Sequence, residues 1–171
     1  MTDFTPITPR RSDEGLSVAH TAISHLFIEV LRDLETLVDA EGLLQRGVAV
    51  VCGSQFDAHL TAAELAREEL MTRLSLLIAA ADQRAMDRPL RLMGAMLRML
   101  LSMEADGDRI HLFSSLIENS PLMVIPGAHS VTRMVRALTH RFSDGVSALM
   151  ALEDFGGPGH DPDAGIMAIP A

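Results

Sequence analysis

Leu16, His20, Ile23, Phe27, Val30, Leu34 and Leu37 follow one another at alternating intervals of four and three residues. A helix advances about 100° per residue, so this spacing lays all seven side chains on one face, whereas a strand would scatter them over both sides. The chain is thereby committed to a helix over Leu16–Ala40 with an apolar stripe that must be covered. Gly42 is the expected stop, and the valine-rich run Leu43–Cys52 reads as a further short helix. A second stripe, His59, Ala63, Ala66, Leu70, Leu74, Leu77 and Ala81, has Asp57 as its expected N-cap. Asp87-Arg88-Pro89 opens a third helix that runs to Met103, because proline in the first turn forfeits no hydrogen bond. Gly107-Asp108 opens a fourth, with Ile110, Phe113, Leu116 and Ile117 inward and Ser120-Pro121 as its end. After a turn at Pro126-Gly127, Ser130 caps a last helix that buries Val131, Val135, Leu138, Phe142, Val146 and Leu149, with Asp144-Gly145 as a place to kink. The expected fold is all-α, an irregular bundle of five to six helices.

The third helix differs from the others in being apolar over most of its girth. Only Arg88, Arg91 and Arg98 mark a polar strip, with Ala95 between them. A helix of that kind belongs at the centre of a bundle or in a contact between chains. Leu92, Met96, Met99 and Met103 form the face expected to meet a partner, since thioethers suit adaptable protein surfaces. The same spacing of methionines could hold copper(I), but such clusters lie in polar sequence and this one does not.

The chain has 171 residues, enough for one domain that buries about two-thirds of its unfolded surface without a metal or a disulfide. Residues 15–155 read as that domain, with a flexible arm over residues 1–14 and a flexible tail over residues 156–171, where proline and glycine replace any periodic pattern. The formal net charge is -9, all 14 positive residues are arginine, and the only aromatic rings besides histidine are six phenylalanines. A basic face and stacking rings are what nucleic acids require, so they are unexpected partners. Leu60–Arg67 resembles the first helix of a helix-turn-helix module. Glu68-Glu69-Leu70-Met71 then prolongs that helix where such modules turn, and two carboxylates would repel a phosphate backbone. The N-terminal residues carry no apolar core of a secretory signal, and Leu90–Met103 is too short and too charged to span a bilayer. A single cysteine, Cys52, rules out an internal disulfide and suits a reducing, cytoplasmic setting. The arginine-for-lysine bias is what a high-GC bacterial genome would produce.

No residues stand out as catalytic. The sequence holds no phosphate-binding glycine loop, no nucleophile elbow and no HExxH, and no cofactor is expected. Two histidines on apolar stripes, His20 and His59, are the metal candidates. His20 and His25, five residues apart on a regular helix, would point roughly 140° apart and could not share an ion. Arg88, Arg91 and Arg98 on the third helix and Arg133 and Arg136 on the last are candidates to bind an anion together. Three functions follow in order of preference: a non-enzymatic interaction module that forms a homo-oligomer or docks another protein through the third helix; a small-molecule-sensing helical domain; and a metal-dependent enzyme built from histidines on several helices.

Overall fold

The computed structural model describes residues 20–48, 54–119, 129–152 and 155. Five helices occur among the described residues, and no strand. They are α1 (Ala22–Val48), α2 (Ser54–Ala79), α3 (Asp87–Ser102), α4 (Asp106–Asn119) and α5 (Ser130–Met150). The all-α bundle expected from the spacing is the fold. The arm over residues 1–14, the tail over residues 156–171, the 49–52 part of the valine-rich run with Cys52, and the turns at Ser120-Pro121 and Pro126-Gly127 lie outside the described residues.

Several boundaries differ from the expectation, each for a local reason. Helix α1 begins after Thr21, whose hydroxyl oxygen accepts the backbone N–H of Ser24 at 3.1 Å. That is the bond an N-cap makes, and it leaves His20 outside the helix and exposed. Gly42 does not end α1. It is buried inside a helix that runs on to Val48, so residues 43–48 belong to α1 rather than to a separate helix. One internal glycine costs about 1 kcal/mol; burial of Glu41, Gly42 and Leu44 on the same turn outweighs it. Asp57 sits in the first turn of α2, which starts at Ser54, and Ala81 falls beyond its end, exposed. Ile110 faces solvent, while Arg109 beside it is buried. His129, not Ser130, is the N-cap of α5, without a side-chain bond.

Helices α1, α2 and α3 run alternately. Arg73 on α2 meets Asp33 on α1 at 3.0 Å, which fits an antiparallel hairpin. Three contacts order α3 against α2: Arg91 with the Ala80 carbonyl, Gly94 with Leu77, and Arg67 with the Leu101 carbonyl. Helix α5 runs along α1 in the same sense, with the Phe27 and Phe142 rings 5.7 Å apart and Gly145 against Leu34. Two glycines set how closely these rods approach. A Cβ on Gly94 would lie 2.5 Å from Leu77 Cδ2, and one on Gly145 2.8 Å from Leu34 Cδ2. Gly145 therefore does not kink α5, which is continuous through it; it admits a leucine of α1. The core between the rods is leucine-rich: Leu34 and Leu37 of α1, Leu70, Leu74 and Leu77 of α2, and Leu90 and Leu97 of α3 are all buried.

Candidate functional site

The start of α3 is fixed by one carboxylate. Asp87 is only 2% exposed. Its Oδ1 accepts the Thr21 hydroxyl at 2.6 Å, and its Oδ2 accepts the backbone N–H groups of Gln83 and Arg84, each at 2.8 Å. Charge-assisted bonds of this kind are stronger than neutral ones. Here they tie the cap of α1, the α2–α3 turn and the first turn of α3 into one unit. In the sequence Asp87 is legible only as the place where a helix opens.

That unit holds Arg84 and Arg88 at the rim of an open groove of about 590 Å³, whose wall continues through Pro89 to Leu92. Beyond Leu92 on α3 come Met96, at the edge of the core, and Met99, turned away from it. Leu92 is 48% exposed and Met99 54%, whereas Met96 is half-buried against the core. Met103 follows the helix as its extended C-cap and is also half-buried. Of the four interface candidates, only Leu92 and Met99 present much surface; Met96 packs partly against the core, and Met103 lies beyond the end of the helix.

The far end of α3 is closed by two cations. Arg67 donates to the Leu101 carbonyl at 2.7 Å, and Arg109 to the Met103 carbonyl at 2.6 Å. Cations there complement the negative end of the helix dipole. Both guanidiniums also lie over the ring of Phe155, at 5.9 and 5.2 Å from its centroid. Neither arginine was singled out in the sequence, since each looks like any charged residue on a helix surface.

The structure splits the arginine group. Arg91 is engaged, pairing with Asp82 at 2.8 Å and donating to the Ala80 carbonyl. Arg98 is exposed on the edge of α3. Arg133 and Arg136 are exposed on α5. Of the five candidates only Arg88 lines the groove; Arg84 joins it, brought there by the turn that Asp87 organises.

The metal candidates do not come together. His20 lies before the start of α1, and His59 is half-buried near the opposite end of the α1–α2 hairpin. Because His20 stands outside the helix, the angular argument separating it from His25 does not apply: the two exposed rings are 5.0 Å apart. Among the described residues no group of three or more His, Cys, Asp or Glu could hold a metal ion. Among them, too, no helix is long and apolar enough to cross a membrane.

A second outward face lies on α2. Leu65 is 55% exposed and Leu76 54%, eleven residues apart and therefore on one line of the helix. Between them Glu68, Glu69, Thr72 and Arg73 border a shallow groove of about 450 Å³. Arg73 is turned to α1, where its hydrogen bond to Asp33, helped by the charge of that carboxylate, raises its already high pKa. The fold and this site define a helical bundle with two outward apolar stripes. Comparison with protein families, curated proteins and solved structures gave no match.

Proposed function

We propose that this chain is a non-enzymatic helical interaction module that associates with another protein chain, in the first place a copy of itself, through the outer face of α3. The observation that carries the reading is the pair Leu92 and Met99, seven residues apart on one side of α3 and each about half exposed, with Met96 between them. Side chains at that interval form the seam through which helices of different chains interlock. Cytoplasmic residence belongs to the same proposal, supported by the single cysteine.

The test is the mass of the full chain in solution from low to high micromolar concentration. Association that strengthens with concentration is expected, and Leu92→Gln with Met99→Gln should weaken it. A strict monomer throughout overturns the reading. The groove at Arg84 and Arg88 supports a second reading, a sensor for an anionic small molecule with an apolar part that would lie on Leu92. A ligand present at a hundred times its dissociation constant raises stability by roughly 2.7 kcal/mol. A thermal-shift screen of small anions tests it, and Arg84→Ala with Arg88→Ala should abolish any shift found.

A further inference from the structure

We infer that the outer face of α3 in one copy docks on the outer face of α2 in the next, so that the contact is head-to-tail rather than a symmetric pairing of two α3 helices. The inference rests on the self-association reading above and names its partner surface.

Two stripes on this chain are both apolar along their crest and oppose in charge along their flanks. On α3, Leu92 and Met99 are flanked by Arg88 and Arg98, with Arg84 at the groove beside Arg88. The one carboxylate on α3, Asp87, is buried and engaged by three donors, and Asp82, which also lines the groove, is paired with Arg91, so Arg84 and Arg88 set the charge of this face. On α2, Leu65 and Leu76 are flanked by the exposed Glu64, Glu68 and Glu69. The cation on that side, Arg73, is neutralised by Asp33. An α3–α3 pairing would set arginines against arginines, which is costly once water is expelled. An α3–α2 pairing sets leucine and methionine against leucine, and arginines against glutamates. A carboxylate from Glu68 or Glu69 of the second copy has a ready place in the open groove between Arg84 and Arg88, since guanidinium and carboxylate match as planar forks. Because the two surfaces differ, each copy keeps one face free after the first contact, and growth continues into a ring or an open chain.

Two double variants separate the possibilities, with glutamine chosen because it is polar, uncharged and a good helix former. One carries Leu92→Gln and Met99→Gln, the other Leu65→Gln and Leu76→Gln. Circular dichroism and thermal melting of each check that the bundle is retained. Sedimentation of the wild type is expected to show dimers and larger species that dissociate as ionic strength rises. Each variant alone should associate roughly tenfold more weakly. An equimolar mixture of the two should recover association, because each supplies the face the other lacks, and should stop at the dimer. If the α2 variant assembles as tightly as the wild type, or the mixture stays as weak as its components, the head-to-tail contact is overturned while self-association through α3 stands. A monomeric wild type overturns both. Should either variant fail to fold, the salt dependence of the wild type decides: association that does not weaken with salt removes the charge pairing on which the contact depends.

Discussion

The inner and outer faces of α3 carry nearly the same chemistry and meet different fates. Inward, Leu90, Met93, Leu97 and Leu100 have lost all or almost all exposure to water. Outward, Leu92 and Met99 keep about half of theirs, 48% and 54%. Residue type does not decide which side is covered. The approach of α2 does, and that approach depends on Gly94, where a bare Cα lets Leu77 come in on the inner side. No helix among those described covers the outer side. Covering what remains of Leu92 and Met99 would contribute roughly 1 kcal/mol apiece. That is little against the entropic cost of joining two chains, so such a contact depends on concentration and on the charges around it.

This contrast makes the inner face the place where substitution costs most. Leu97→Ala removes a fully buried side chain from the core and leaves a cavity. The expected loss is about 2–5 kcal/mol, a melting point lower by roughly 10 °C in a domain of this size. Urea unfolding followed by circular dichroism measures it. A loss below about 1 kcal/mol would mean that the inner face is not packed as described.

Next comes the anchor that holds α3 in position. Asp87→Ala leaves the Thr21 hydroxyl and two backbone N–H groups of the turn without their acceptor, a loss of roughly 2–4 kcal/mol. Asp87→Asn should cost clearly less. Its amide oxygen can still accept from Gln83 and Arg84, while its amide N–H donates to the Thr21 hydroxyl oxygen, which also keeps the Ser24 N–H, so only the hydroxyl proton loses its acceptor. If the two variants prove equally damaging, the negative charge rather than the bonding pattern is what the site requires. Gly94→Ala should fall below both, at about 1–2 kcal/mol: the new methyl meets Leu77, partly offset by better helix propensity.

These effects show what the sequence could and could not disclose. The stripes of α1, α2 and α5 were legible because three- and four-residue spacing is a property of the backbone alone. Ile23, Phe27, Leu70, Leu77, Val135 and Phe142 are buried as that spacing requires. The end of α1 was not legible, because whether Gly42 stops a helix depends on what the following turn buries. Ile110, expected inward, faces solvent, while Arg109 beside it is buried because the Met103 carbonyl, at the end of a different helix, gives the guanidinium a partner. Of the candidate site, the stripe from Leu92 to Met103 was visible as spacing. The groove was not, since Arg84 reaches it only through a turn gathered by a carboxylate three residues further on. The outer stripe of α2 is not legible for another reason: Leu65 and Leu76 stand among charged neighbours and look like isolated surface leucines until the neighbouring helices are in position.

The sharpest use of the contrast is a substitution expected to do almost nothing to stability. Leu92→Gln changes a side chain as apolar as Leu90 and only two residues from it, yet Leu92 already spends half its surface in water. Exposed helix positions exchange good helix formers within about 0.5 kcal/mol. The isolated chain, diluted until any association is lost, should therefore melt within a degree or two of the wild type. At high concentration the two should separate, because only the wild type then gains stability from its contact with another copy, and a melting point coupled to association rises with concentration. A wild-type melting point that stays level with concentration, with Leu92→Gln tracking it throughout, would show that nothing covers this face. A Leu92→Gln chain much less stable even when dilute would show that the outer face is part of the core, and the difference between the two sides of α3 would disappear.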